Sequence, residues 1–317
     1  MSNNLEKVKT LKIPEKYILN DAFCKVCFRG YLDIAKYLYA NGASVRNADG
    51  YYYNDCNYDA AKYACVGGKL NILEWLYEIG DELPYVFENA CEFGRLNIAQ
   101  WIHSLNPDIA KSDAFKYGFK NACIKGHLNI AKWLYELGVN TSDTNIFINT
   151  CANGHLEVVQ WLHSIGFDIS NTTSFIESCK NGHLHIAQWL YDKNISDPAA
   201  FVHACKNGHL HIAQWLHSLG TDISDPNALI LSCLHKQYNI VTWLIEIHYK
   251  HSSHIYFKDY ALFELEIIEL LIDNDLLHPK QLSAAYLNYY LARTKGFVPA
   301  DFDHPNTQGQ RTKPARV

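Results

Sequence analysis

Apolar residues recur along the chain in blocks of about two helical turns. In the block at 128–137, Leu128, Ile130, Ala131, Trp133, Leu134 and Leu137 cover more than one side of a helix and leave Lys132 and Glu136 for solvent. A helix apolar on two sides needs a neighbour on each, so this pattern predicts stacking. Ahead of six such blocks lies a shorter one in which a Phe stands four residues before a Cys, at Phe23, Phe87, Phe119, Phe147, Phe175 and Phe201. Residues four apart share one helix face, so Phe and Cys form a buried stripe. Asp197-Pro198 and Asp225-Pro226 place a capping Asp before a Pro at the first helical position, and Asn153-Gly154, Asn181-Gly182 and Asn207-Gly208 supply a left-handed stop. The predicted unit is a short helix, a Gly turn and a second helix.

The unit repeats. Trp75, Trp101, Trp133, Trp161, Trp189, Trp215 and Trp243 each follow a Cys by ten residues, and Tyr37 follows Cys27 in the same way. All seven Trp and eight of the ten Cys therefore occupy one register. Three residues after the Cys comes Gly30, Gly68, Gly94, Gly126, Gly154, Gly182 or Gly208, replaced only at Lys236, and a His follows at His127, His155, His183 and His209. Differences between successive Cys positions are 38, 26, 32, 28, 28, 26 and 28 residues, a range that signals a solenoid.

Gly154 to Leu162, with the helix before it and the Gly after it, resembles the second half of an ankyrin repeat. The resemblance implies an all-α, ankyrin-like solenoid of helix-turn-helix repeats. The family's usual period is about 33 residues, with a β-turn before two helices. Here the distance from Phe to the Leu after Trp stays at 15 residues, while the connector falls to 13 in the 28-residue units, so the projecting turn is expected to be trimmed to a short loop. Short Trp-rich units of this kind resemble ankyrin arrays of giant DNA viruses of amoebae. The expected organisation is an N-terminal capping segment at 1–20, eight repeats at 21–248 and a degenerate ninth repeat at 249–275. A C-terminal capping helix at 276–296 and a disordered tail at 297–317 follow.

The ninth repeat is read from Leu265-Glu266-Ile267-Ile268-Glu269-Leu270-Leu271, with Leu270 in the Trp position. The 38-residue first period holds an excess rich in Tyr, Asn and Asp around Asn47 to Tyr58, which reads as an elongated loop, either tolerated drift or a contact loop.

Composition narrows the function. The net charge of −5 gives no basic excess for a phosphate backbone, which argues against nucleic acid. No apolar run approaches the ~18 residues of a membrane helix, and MSNNLEKVKT lacks a signal-peptide core, so an intracellular, cytoplasmic monomer off the membrane is expected, in host cytoplasm if the viral resemblance holds. Three glycosylation sequons, at Asn140, Asn171 and Asn194, then read as coincidences in polar loops.

Candidate chemistry is thin. Cys24-Lys-Val-Cys27 has the spacing of half a zinc site, with Cys56 and Cys65 as conceivable partners, but Cys27 and Cys65 are the repeat cysteines of adjacent units. Equivalent positions in neighbouring units lie ~8–10 Å apart. That is too far for one zinc or for a disulfide. The repeated His are read as turn or helix-start residues with local hydrogen bonds, and the Phe and Trp as core. No nucleotide-binding, metalloprotease or nucleophile motif occurs, so no catalytic, cofactor-binding or metal residue is assigned.

What remains is a stacked surface. In the family resembled, partners are held on the concave side, formed by inter-repeat turns and the exposed ends of the first helices. That implies partner-binding residues just before each Gly: Glu92, Phe93, Lys125, Asn153, Lys180, Asn181, Lys206 and Asn207, with the lysines forming a mildly basic ridge. The leading expectation is a non-catalytic protein-binding scaffold. Alternatives are a ubiquitin-ligase adaptor using Phe263 to Tyr290 and a structural virion component.

Overall fold

The computed structural model describes residues 5–10, 16–45, 59–83, 85–139, 143–249, 263–278 and 282. The loop expected at Asn47 to Tyr58, Cys56, the sequon at 140–142, the tail at 297–317 and most of the capping segment at 276–296 lie outside them. Among the described residues there are α-helices and no strand. The fold is all-α, built of helix-turn-helix repeats, and it divides into two compact units, residues 1–170 and 171–317.

The first unit opens with α1 (Leu5–Lys9) and then holds five helix pairs. These are α2 (Lys16–Arg29) with α3 (Leu32–Ala40), α4 (Ala60–Val66) with α5 (Leu70–Glu78), and α6 (Val86–Glu92) with α7 (Leu96–Leu105). The others are α8 (Asp113–Ile124) with α9 (Leu128–Glu136) and α10 (Asn145–Ala152) with α11 (Leu156–Ser164). The second unit holds α12 (Thr173–Lys180) with α13 (Leu184–Tyr191), α14 (Ala199–Lys206) with α15 (Leu210–Ser218), α16 (Pro226–Leu234) with α17 (Tyr238–Leu244), and α18 (Leu265–Asp273). Helix α2 begins at Lys16, inside the segment expected to cap the array, and Leu19 and Asn20 on it are buried.

Within each unit, consecutive first helices pack side by side: α2 on α4, α4 on α6, α6 on α8 and α8 on α10, then α12 on α14 and α14 on α16. The Phe-Cys stripe makes this packing, since Phe23, Phe87, Phe119, Phe147, Phe175 and Phe201 are all buried with the Cys four residues on. Four first helices start on an acceptor four residues before the buried Phe or, in α16, Leu229. Asp143, Asn171, Asp197 and Asp225 each accept a hydrogen bond from the backbone N–H two residues ahead, at 2.9 to 3.0 Å. The two Asp-Pro starts were legible in the sequence; Asp143 and Asn171 play the same part without a Pro.

The 32-residue period appears as added helix. Helix α8 has 12 residues where α10, α12 and α14 have 8, one further turn at its N-terminus, preceded by a 3-10 turn at Pro107–Lys111.

Two expectations about the second helices need correction. Leu137 is exposed, not buried, because helix α9 ends at Glu136 and Leu137 sits in the turn beyond it. The Trp residues are not a uniform core either. Trp75 is 7% exposed, but the other six are half-buried, and Trp101, Trp133, Trp161, Trp215 and Trp243 each lie at an edge against a ring of the preceding repeat. Trp133 meets Phe87 and His103 of the preceding pair at 6.4 and 5.7 Å, and Trp161 meets Phe119 and Tyr135 at 6.2 and 5.8 Å. Trp215 repeats the arrangement with Phe175 and Tyr191 at 6.3 and 5.8 Å. The edge-to-face approach of Tyr or His adds roughly 0.5–1.5 kcal/mol per pair beyond area burial. The Trp is thus a clasp between repeats.

Candidate functional site

The surface singled out by the sequence lies where each first helix ends. Termination is by glycine: Gly94, Gly126, Gly154, Gly182 and Gly208 have φ between 73 and 86°, the left-handed region that side chains resist. Space is the second reason for glycine here. A Cβ on Gly94 would stand 2.7 Å from His127 Cε1, and one on Gly182 would stand 2.8 Å from His209 Cε1. Lys69, Arg95, His127, His155 and His209, each the residue after a Gly, reach back over Gly30, Gly68, Gly94, Gly126 and Gly182 of the preceding repeat.

That reach overturns the reading of the His as locally bonded. His127 Nε2 donates to the Glu92 carbonyl at 2.8 Å, and His209 Nε2 donates to the Lys180 carbonyl at 2.9 Å. Both acceptors belong to the previous first helix, whose last carbonyls have no partner within the helix. Other side chains fill the role at other levels: Arg95 donates Nε and Nη2 to the Val66 carbonyl at 3.2 and 2.6 Å, and Gln237 covers Gly208.

Burial holds the pKa of His209 below the usual histidine range, against the Lys180 carbonyl, which favours the protonated ring, while nearby His211 lowers it further. A base whose pKa falls on folding is protonated first in the unfolded chain. Its contribution is complete above about pH 6.5 and is lost as the pH drops through the depressed folded value. His209→Gln, which copies the arrangement at Gln237, should therefore keep the packing while flattening the loss of thermal stability as the pH falls below about 6.5. A melting temperature with the same slope in both proteins over that range would contradict this role.

The eight predicted residues sit at these helix ends in three kinds of environment. Asn153, Asn181 and Asn207 are exposed, yet each Nδ2 donates to a carbonyl four residues back, Asn149, Glu177 and His203, at 2.7, 2.8 and 2.8 Å. They cap their own helices. Glu92 and Phe93 are half-buried, and Lys125 from the next repeat comes within 3.6 Å of the Glu92 carboxylate. Lys180 is held by Glu177 at 2.9 and 3.0 Å, while Lys206 is half-buried on α14. Glu92 and Lys125 are brought together in the first unit. In the second, Lys180 and Asn181 meet through Glu177. With Lys125 and Lys180 each facing a carboxylate, the ridge is mixed in charge and not basic.

Sequence reasoning missed two parts of this surface. One is aliphatic: Ile176, Val202 and Ile230, each one residue after the buried Phe or Leu, are half-buried on α12, α14 and α16. Their signal was the recurrence of Ile or Val at that place. The other is a cavity of about 350 Å³ lined by Asp113, Lys116, Tyr117, Lys120, Asp143 and Ile146. Lys120 bonds Asp143 across it at 3.2 Å, and Tyr117 is 60% exposed at its rim. The extra turn of α8 builds it, and the 32-residue period was its signal.

The described cysteines are core residues. All nine that are described are buried, and burial pushes the thiols of Cys24, Cys65, Cys179 and Cys205 up to about 12, with Cys27, Cys91, Cys123 and Cys233 also raised by burial. A thiol so raised is neither a ready nucleophile nor a ready metal ligand near neutral pH. Among the described residues no three His, Cys, Asp or Glu are grouped to hold a metal ion, and no helix is long and apolar enough to cross a membrane.

Comparison with known proteins points the same way as the geometry. Residues 119–199 and 175–259 match the family model for ankyrin repeats, in three copies. Among solved structures, the chain is similar to the crystal structure of the human ASB11 ankyrin repeat domain, at 18% identity, covering 64% of this chain and 96% of that one with a TM-score of 0.44. No curated protein matches.

Proposed function

Taking residues 119–259 as ankyrin repeats, the family their sequence matches, we infer that the chain is a non-catalytic protein-protein interaction scaffold that holds a partner protein on the exposed ends of its first helices. Ankyrin repeats generally mediate protein-protein interaction. The observation that carries the placement is the half-buried aliphatic row Ile176, Val202 and Ile230 beside Lys180 and Lys206 in the second unit. Apolar side chains ringed by polar ones are the composition of an interface centre with its rim. The Trp-rich repeat, with its resemblance to arrays of giant DNA viruses, makes a host-cell protein the partner of choice.

The capping Asn residues are better left intact in a test, since their loss would weaken the helices. The set Lys125→Gln, Lys180→Gln and Lys206→Gln removes the charges of this surface without setting a second carboxylate beside Glu92 or Glu177. Partners recovered by affinity pull-down and mass spectrometry with the parent chain should be lost with this variant, while its melting temperature stays within a few degrees. Recovery of the same partners in undiminished yield would remove the first-helix surface from consideration.

A further inference from the structure

Among the described residues, fourteen large hydrophobic side chains are exposed, and nine of them belong to two positions of the repeat, two and four residues after the Trp or its equivalent Tyr37. In the first unit these are Tyr39, Tyr77, Ile79, Leu105, Tyr135 and Leu137. Both positions lie at the C-terminal ends of the second helices. Nine residues of helix, about 13 Å, separate them from the Gly turns and the surface described above.

They form a continuous strip, because each Trp takes the ring of the preceding repeat edge-on. Tyr39 meets Trp75 at 5.7 Å, Tyr77 meets Trp101 at 6.1 Å, His103 meets Trp133 at 5.7 Å and Tyr135 meets Trp161 at 5.8 Å. Isolated exposed apolar side chains need no explanation, but a contiguous row does. The rim of the row is acidic. Over residues 77–83, 103–112 and 135–139 the charged groups are Glu78, Asp81, Glu82, Asp108, Lys111 and Glu136, and the one lysine is held by Asp108 at 2.7 Å.

The second unit shows what chemistry this register accepts. There Lys193 stands four residues after Trp189, where the first unit has Ile79, Leu105 and Leu137, and its Nζ lies 6.0 Å from the Trp189 ring centroid. The chain seats its own cation on the aromatic strip. A cation over Trp or Tyr gains about 0.5–1 kcal/mol when exposed and more when desolvated, and the stems of Lys and Arg cover apolar surface beneath them.

We propose that the aromatic strip of the first unit is a second docking surface, for an extended basic segment of a partner protein. Arg or Lys stems lie along Ile79, Leu105 and Leu137. Their cations face the Tyr and Trp rings and the Glu78, Glu82 and Glu136 carboxylates. Helices pack ~8–10 Å apart. An extended chain advances about 3.3 Å per residue, so the fitting segment carries a basic residue at about every third position.

The test uses the full chain and a fluorescent peptide of about twelve residues with Arg at every third position, long enough to span about 40 Å. Controls are the same peptide with Glu for Arg and one with its Arg clustered at one end. Anisotropy should show binding of the first peptide, weakened by salt, with little for the Glu peptide and weaker binding for the clustered one. The variants Ile79→Gln/Leu105→Gln/Leu137→Gln and Glu78→Gln/Glu82→Gln/Glu136→Gln should each raise Kd about tenfold or more, which is about 1.4 kcal/mol. These residues are all exposed, so both variants should fold, as checked by melting temperature. Equal affinity of the parent and both variants, equal binding of the Glu peptide, or no binding of the Arg peptide would each overturn the proposal. So would a concentration-dependent dimer abolished by the Gln set at Ile79, Leu105 and Leu137, which would make the strip a self-association face.

Discussion

Phe119→Ala is expected to cost about 3–5 kcal/mol, the range for emptying a fully buried aromatic site. Phe119 has no exposure and touches two repeats at once, with Trp161 at 6.2 Å and Phe167 at 6.4 Å, both contributed by the pair α10 and α11 and the loop after it. The cavity therefore opens between repeats, where a solenoid keeps its nearest-neighbour energy. Neither Trp161, anchored by Tyr135, nor Phe167, fixed by its N–H to the Leu162 carbonyl at 3.0 Å, can collapse easily into the gap. A loss of that size is a large part of the 5–15 kcal/mol that holds a domain folded. For a unit of this length it lowers the melting temperature by roughly 6–20 °C. Tyr117→Ala, two residues away and 60% exposed, should stay within about 0.5 kcal/mol. Chemical denaturation followed by circular dichroism compares the two. A Phe119→Ala midpoint as close to the parent as that of Tyr117→Ala would refute the inter-repeat core.

The sequence displayed the repeat because a helix pair writes its packing into spacing that lies within the pair. Phe and Cys four apart, Cys and Trp ten apart, and Gly between them are all local. Features that depend on the neighbouring repeat were not legible in the same way. Nothing around His127 says that its partner is the carbonyl of Glu92, 35 residues earlier, and a local bond is the natural reading of a His at a helix start. The Trp residues likewise announce an apolar position, but only their contact with the Tyr or His of the preceding repeat reveals that they sit at an edge. At the candidate site, the Asn of each Asn-Gly pair was visible as a helix stop, and its side chain proved to serve that stop as well. The lysines stood out in the sequence, whereas the carboxylates beside them come from a turn earlier or a repeat away. The exposed strip was hidden for a related reason: Leu137 fits the helical period of the buried residues, and only the end of α9 at Glu136 puts it outside.

Adding one carbon should also be damaging where two backbones meet. Gly67 has φ of −69°, an ordinary right-handed value, so alanine there carries no conformational penalty. The obstacle is space. A Cβ would overlap the carbonyl oxygen of Phe28 and lie 2.9 Å from its carbonyl carbon and 3.1 Å from its Cα, all in the last turn of α2. A side chain could rotate away, but a helical backbone in contact cannot, so α2 and α4 must part. Overpacking of this kind costs roughly 1–3 kcal/mol and can exceed it when only backbone can yield. The strain is relieved most easily by shifting the first helix pair, whose neighbouring pair in the described structure is α4 and α5. Gly67→Ala should therefore loosen α2 and α3 selectively. Their amide hydrogens should exchange faster, and the fluorescence of Trp75, which packs on Phe23 and Tyr39 at 6.3 and 5.7 Å, should move toward that of a solvated indole. Gly138→Ala separates this effect from simple loss of glycine. Gly138 has φ of 89° with nothing within 4 Å of an added Cβ, so it should cost only the ~1–2 kcal/mol of a left-handed alanine and leave Trp75 unchanged. If Gly67→Ala left the exchange of α2 and α3 and the emission of Trp75 as they are in the parent, the close approach of these two helices would be wrong.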